Sequence, residues 1–86
     1  MLADIRWHVD IWRADLGLAV EVKSGYTSLT QRIRTQIAKD VALLESREAR
    51  EVVWAFTRSP ITGRIGASRP LLDALWEAGI ATTYYL

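Results

Sequence analysis

The most constraining feature of this sequence is a pair of segments in which apolar and polar residues alternate. The segments cover residues 5–13 and 18–23, and Ala14-Asp15-Leu16-Gly17 lies between them. Alternation with a period of two is typical of a half-buried β-strand, and Asp and Gly are common in turns. The sequence therefore predicts an antiparallel β-hairpin, and the apolar face of its second strand carries Leu18, Val20 and Val22.

A helix and a buried strand are predicted next. Ser28 and Gln31 have the spacing of a capping box at a helix start. An apolar stripe at helical spacing follows, formed by Leu29, Ile33, Ile37, Val41 and Leu44. Residues 45–50 form a polar connection. Residues 51–57 are apolar almost throughout, which is typical of a central strand covered on both faces.

The last third of the chain predicts a loop, a helix and a strand. Residues 58–67 contain one proline and two glycines and are predicted as a loop. Ser68 as N-cap and Gly79 as C-terminal stop bracket a second helix. Residues 80–85 form the final strand.

This order of elements predicts the fold class. Each helix joins two strands by a crossover long enough for parallel neighbours. We therefore predict an α/β domain with a four-stranded mixed sheet, in which an N-terminal antiparallel hairpin is followed by helix-strand-helix-strand. The chain has 86 residues, which is enough for one domain.

The composition excludes several kinds of metal site and limits the expected binding partners. The absence of cysteine and the single histidine exclude a disulfide framework and a thiolate or His-rich zinc site. Any metal site must therefore depend on carboxylates, which suit Mg²⁺ or Mn²⁺. The net charge of +1 is not strongly basic, although arginines cluster locally. No apolar run approaches the roughly 18 residues of a membrane span, and the N-terminus lacks a signal-peptide pattern.

The hairpin register predicts a candidate site. A turn about Asp15 and Leu16 places Asp10 opposite Glu21 and His8 opposite Lys23. Opposed residues have Cβ atoms about 4.5–5.5 Å apart, at which distance two carboxylates repel each other. A divalent cation between them turns the pair into a ligand set. Lys23 projects from the same face as Glu21 and can hold a water or a phosphate oxygen, so the set suits phosphodiester hydrolysis.

The alternative is an ordinary solvated strand face. Glu-x-Lys is a common sequence, so Glu21 and Lys23 alone carry little information. A shift of the turn by one residue would also move Asp10 away from Glu21. The opposed acids favour the functional interpretation, because the solvated-face alternative does not explain them.

These residues and the elements after them resemble the PD-(D/E)xK restriction-endonuclease-like superfamily. The likeness consists of Asp10, then Glu21-Val22-Lys23 at the end of the second strand, then a helix and a buried strand, and it covers about residues 5–57. The stretch from Val20 to Tyr26, with Gln36 to Asp40 on the helix, is similar to the C-terminal nuclease domains of bacterial contact-dependent growth inhibition and other polymorphic toxins.

The resemblance implies a role for each residue. Asp10 and Glu21 would bind a divalent metal, Mg²⁺ first and Mn²⁺ or Zn²⁺ as alternatives, together with the backbone carbonyl of Val22. Lys23 would assist the attacking water, and Gln36 would lie near the site. The implied activity is hydrolysis of DNA or tRNA by a toxin that is secreted or delivered from a cell surface. It would act in the cytoplasm of the target cell, and an immunity protein would neutralise it.

Two departures from the family pattern qualify these expectations. Val9 stands where the name-giving proline would be, and no helix precedes the first strand. Residues 1–86 are therefore expected to be a single nuclease-like domain from the C-terminal part of a longer chain. The alternatives are a non-catalytic module of the same fold that binds nucleic acid or protein, and a DNA-repair or junction-cleaving nuclease.

Several further residues are candidates for substrate contacts. His8 shares the predicted catalytic face, although a solvated or packed histidine is the more common case. Trp12 falls on the polar strand face, where it could stack a base. Gln36 and Asp40, with Arg32 one turn earlier, border the cleft, or Asp40 forms a plain surface salt bridge with Arg32 or Gln36. Arg58 and Arg64 follow the third predicted strand, a usual place for ligand contacts, or simply lie in a turn.

Three other tryptophans have a simpler interpretation. Trp7, Trp54 and Trp76 occupy apolar positions of their elements and are predicted to be core residues.

Overall fold

The computed structural model describes residues 10–85. Its main sheet has four strands in the order β1-β2-β4-β6, with β1 antiparallel to β2 and the other neighbours parallel. This confirms the predicted α/β class and the mixed sheet. The elements are β1 (Ile11–Arg13), β2 (Leu18–Ser24), β3 (Tyr26–Thr27), α1 (Gln31–Glu45), β4 (Glu51–Thr57), β5 (Gly66–Ala67), α2 (Arg69–Glu77) and β6 (Ala81–Tyr85).

The hairpin has the predicted register. Ile11 pairs with Val20 and Arg13 pairs with Leu18. Gly17 closes the turn at φ 63°, a conformation that glycine adopts without strain. A Cβ at this position would also lie 2.8 Å from Cγ of Arg50. The predicted strand residues 5–9, with His8 and Trp7, lie outside the described residues.

Both helices pack on one face of the main sheet. Strands β2, β4 and β6 follow each other in one direction across the sheet, and two right-handed crossovers in one direction place their helices on the same side. That side carries Ala19, Val52, Trp54 and Phe56, all 0% exposed. Leu71 and Leu75 of α2 and Ile33 and Ile37 of α1 belong to the same core cluster.

The apolar face of the hairpin is therefore not the more deeply buried one. The covered face is the one with Ala19, Glu21 and Lys23, whereas Val22 on the apolar face is 36% exposed. Ile11 on that apolar face is 50% exposed. Alternation identifies the residues that share a face, but the crossovers decide which face the helices cover.

The helix ends differ in one place from the prediction. Thr30, not Ser28, is the N-cap of α1: it has an extended backbone, and its Oγ1 accepts a hydrogen bond from the Ile33 N–H at 3.2 Å. The capping box of Ser28 and Gln31 is therefore not formed. Ser68 caps α2 as predicted.

Two features of the last third also differ. The predicted loop 58–67 contains β5, which pairs with β3 in a small parallel sheet. Trp76 is not a core residue: it is 84% exposed, because α2 turns Leu71 and Leu75 toward the sheet. No helix within residues 10–85 is long and apolar enough to cross a bilayer.

Candidate active site

Glu21, Lys23 and Gln36 meet where α1 crosses the covered face of β2. Lys23 Nζ lies 3.2 Å from Glu21 Oε1 and donates a hydrogen bond to Gln36 Oε1 at 2.5 Å. The side chains of Glu21 and Lys23 are only 10% and 16% exposed. The ammonium group is thus held from two elements, and a surface lysine on a solvated strand would not be held in this way.

Glu21 is the residue of this group whose charge is least well stabilised. Burial raises the pKa of the Glu21 carboxyl, the charge of Lys23 opposes that rise, and the charges of Asp10 and Asp40 add to it. Oε2 is fully buried, and no described residue donates a hydrogen bond to it. A buried carboxylate oxygen without a donor is unfavourable. Such an oxygen is a natural ligand for a proton or a cation.

Asp10 lies immediately before β1 and is held by backbone groups of the residues on both sides of Glu21. Its N–H donates to the Val20 carbonyl at 3.1 Å, and its Oδ2 accepts from the Val22 N–H at 2.7 Å. The structure therefore brings Asp10 beside Glu21, as the register predicted. Its side chain is exposed, so one carboxylate of the pair is open to solvent and the other is buried.

Trp54 and Asp40 lie beneath Lys23 in the core. The ammonium group is 5.2 Å from the centroid of the Trp54 ring, a cation–π distance. Trp54 Nε1 donates a hydrogen bond to Asp40 Oδ2 at 2.8 Å. Asp40 is 2% exposed, and burial raises its pKa to about 6, against the opposing effects of the Trp54 hydrogen bond and the Lys23 charge.

Sequence reasoning missed that Asp40 is buried and that Trp54 is its hydrogen-bond partner. A surface interaction of Asp40 with Arg32 or Gln36 was one alternative, and its burial contradicts it. A signal was present: the spacings from Ile33 to Ile37 and from Ile37 to Asp40 are four and three, so Asp40 lies on the buried stripe of α1. An acid on such a stripe needs a polar partner in the core.

The remaining predicted residues take several positions. Val22 follows Glu21 in β2, donates its N–H to Asp10 and pairs with Ala55 of β4, and its carbonyl remains a predicted ligand. Trp12 is partly buried and packs against the core, since it shares the face of its partner Ala19. This location contradicts a solvated polar face and leaves less of the ring for a substrate. His8 lies outside the described residues.

Arg58 and Arg64 lie in a loop at the carboxyl edge of the sheet. Both side chains are exposed. Arg58 donates to the Gly63 carbonyl at 2.6 Å, and the Arg64 guanidinium carbon lies 4.6 Å from the centroid of the Tyr26 ring. This edge is the one at which β2 ends after Lys23, so both arginines lie on the side of the sheet expected for ligand contacts.

Comparisons with protein-family models, with curated proteins and with solved structures found no match.

The donor set can be tested for its fit to a divalent cation. No group of three or more His, Cys, Asp or Glu side chains with the geometry of a metal site occurs among residues 10–85. The predicted set needs only two carboxylates and one backbone carbonyl. The unpartnered Oε2 of Glu21 and the neighbouring Asp10 fit a hard cation that prefers oxygen ligands.

Proposed function

We propose that this chain is a metal-dependent nuclease domain of the restriction-endonuclease-like type that hydrolyses phosphodiester bonds of DNA or tRNA. The observation that carries the proposal is the buried Glu21 carboxylate, with Oε2 free of any described donor and Oε1 beside Lys23. A structural acid in a core is normally satisfied by hydrogen bonds. Only one of the two Glu21 carboxylate oxygens has a partner, which favours a ligand at Oε2.

The residues divide the chemistry between them. Asp10, Glu21 and the Val22 carbonyl would hold the cation. A bound Mg²⁺, Mn²⁺ or Zn²⁺ would supply Lewis-acid chemistry and offset charge on the phosphate. Lys23 would orient the attacking water and stabilise the negative charge that develops on the phosphoryl oxygens. Gln36 and Trp54 hold the Lys23 ammonium in position for this role.

The biological setting that we propose follows from the sequence resemblance. The domain would be the toxic part of a secreted or cell-surface-delivered bacterial protein, and a cognate immunity protein would neutralise it in the producing cell. Expression of the chain in bacteria should then stop growth, and the Glu21→Gln variant should not. A growth defect that persists in Glu21→Gln would contradict a catalytic toxin.

A direct assay tests the activity. Purified protein is incubated with plasmid DNA and with total tRNA, in Mg²⁺ or Mn²⁺ and in a chelator. Asp10→Asn, Glu21→Gln and Lys23→Met should each lower the cleavage rate by roughly 100-fold or more. Glu51→Gln, which removes an exposed carboxylate at the start of β4, is the matched control. Full activity of Glu21→Gln would overturn the assignment and leave a non-catalytic binding module.

A further inference from the structure

The charges of this chain are unevenly distributed along the sheet. Residues 22–39 contain four basic residues and residues 52–72 contain three, and neither segment contains an acid. Both segments run through the carboxyl edge of β2 or β4 and into the helix that follows. The connection at the opposite edge is of mixed charge, because Glu45, Glu48 and Glu51 alternate there with Arg47 and Arg50. A net charge of +1 therefore conceals a positive edge, to which a polyanion is attracted.

Two half-exposed tyrosines lie on this positive edge. Tyr26, three residues after Lys23, begins β3 and is 45% exposed. Tyr84 of β6 is also 45% exposed, and its Cε1 lies 3.8 Å from the point where a Cβ at Gly66 would be. Gly66 is the pairing partner of Tyr26 in the small sheet. The backbone that pairs with Tyr26 therefore lies next to the Tyr84 ring.

The loop that carries the arginines is tied by its own hydrogen bonds. The Ser59 N–H donates to the Arg64 carbonyl at 2.9 Å. Ser59 Oγ accepts from the N–H groups of Ile61 and Thr62. These bonds hold the backbone of Arg64, and its guanidinium group lies against the Tyr26 ring. A preorganised cation and ring lose little entropy when a ligand binds.

We propose that Tyr26, Arg64 and Tyr84 form a subsite for an unstacked nucleotide, so that this protein takes its substrate as a single strand or an open loop. The proposal rests on the proposed function for the site of cleavage beside Lys23. An aromatic ring stacks on a base only when the face of that base is free, as in single-stranded DNA or RNA. Arg64 supplies the contact for the adjacent phosphate.

Binding in a chelator tests the subsite without cleavage. The labelled probes are an oligothymidylate and an oligouridylate of about 12 nucleotides and a DNA hairpin duplex of similar length, measured by fluorescence anisotropy in about 50 mM and about 200 mM salt. The wild type should bind the single strands more tightly than the duplex. Tyr26→Leu should weaken single-strand binding by roughly tenfold, whereas Tyr26→Phe, which keeps the aromatic ring, should bind like the wild type. Arg64→Gln should weaken binding and lower the salt dependence.

Matched controls lie away from the positive edge or on the other face of the sheet. Tyr85→Leu removes a 62% exposed tyrosine from the opposite face of β6, and Arg47→Gln removes a charge near the opposite edge. Both should change affinity less than about twofold. Equal or tighter binding of the duplex would overturn the proposal. Equal losses in Tyr26→Leu and Tyr85→Leu, or equal competition by polyglutamate, would also overturn it.

The result separates this proposal from the nuclease assignment. Single-strand binding that depends on Tyr26, without cleavage in any metal, would support the subsite and contradict the proposed nuclease activity. Metal-dependent cleavage, with no effect of Tyr26→Leu or Arg64→Gln on binding, would support the nuclease activity and contradict the subsite. Because Arg64→Gln alters an exposed side chain, it tests the proposal even if Tyr26→Leu fails to fold.

Discussion

Trp54 Nε1 donates a hydrogen bond to Asp40 Oδ2 at 2.8 Å, between two side chains that are buried in the core. The same indole ring lies under the Lys23 ammonium. One ring therefore connects a buried acid of α1 with the cation of the candidate site. The arrangement has a cost in stability, because the Asp40 carboxylate is removed from water.

That cost makes stability depend on pH. Burial raises the pKa of Asp40 from an ordinary 3.8 to about 6. Between these values the folded protein holds a proton that the unfolded chain has released, so the free energy of unfolding falls as pH rises through this window. The loss is on the order of 3 kcal/mol. Urea unfolding of the wild type at several pH values between 4 and 7 measures it.

Asp40→Asn should remove the part of this pH dependence that comes from Asp40, and a smaller slope of the same sign should remain because burial also raises the pKa of Glu21. The amide oxygen can still accept the Trp54 hydrogen bond, but it carries no charge to desolvate. The variant should be at least as stable as the wild type at neutral pH. Asp73→Asn, at an exposed carboxylate paired with Arg69, should leave the slope unchanged. An equal slope in Asp40→Asn and in the wild type would contradict the assignment of the slope to Asp40.

The same substitution at two tryptophans should have different effects on stability. Trp54→Phe removes the N–H donor of a fully buried ring and leaves Asp40 without its partner, so we expect a loss of about 2–4 kcal/mol in the free energy of unfolding. Trp76→Phe alters a ring that is 84% exposed, and its effect should stay within about 0.5 kcal/mol. Urea unfolding of both variants measures the difference. Similar losses would mean that Trp76 is packed after all.

The hairpin illustrates what the sequence could predict. The period-two pattern and the turn residues predicted the pairing of Ile11 with Val20, because register in a hairpin depends on local turn geometry. The same pattern did not predict that Glu21 is buried and Val22 exposed. That outcome depends on two crossovers far along the chain, and a strand pattern contains no information about them.

The site residues divide in the same way. The placement of Asp10 and Lys23 beside Glu21 was predictable, because a hairpin brings near neighbours in sequence together. The contact of Trp54 with Asp40 joins β4 to α1 and depends on how the helix lies on the sheet. The pairing of Tyr26 with Gly66 joins strands of two residues each, which are too short to leave a periodic signal.

Metal should stabilise the folded chain through Glu21. A cation that binds only the folded state raises stability by about 2.7 kcal/mol at a concentration 100 times its Kd. Thermal unfolding in Mn²⁺ and in a chelator should therefore show a higher Tm with metal. Glu21→Gln should fold without metal, since it places no charge in the core, and should lose the response to Mn²⁺. Glu51→Gln should keep that response.

Two outcomes would contradict this expectation. An Mn²⁺ response that is equal in Glu21→Gln and in the wild type would place the cation elsewhere. No response in the wild type, at Mn²⁺ concentrations that support cleavage, would separate catalysis from metal binding at Glu21.

Gln36 should act on the reaction through Lys23 alone. Its Oε1 accepts the hydrogen bond of the ammonium group, and a hydrogen bond to a charged group contributes about 1.5–3 kcal/mol. Gln36→Leu should therefore lower kcat by roughly 10- to 100-fold and change KM little. Gln31→Leu, at an exposed glutamine in the first turn of the same helix, should change neither. In a Lys23→Met background, Gln36→Leu should have no further effect on the rate, and additive losses would show that Gln36 acts independently of Lys23.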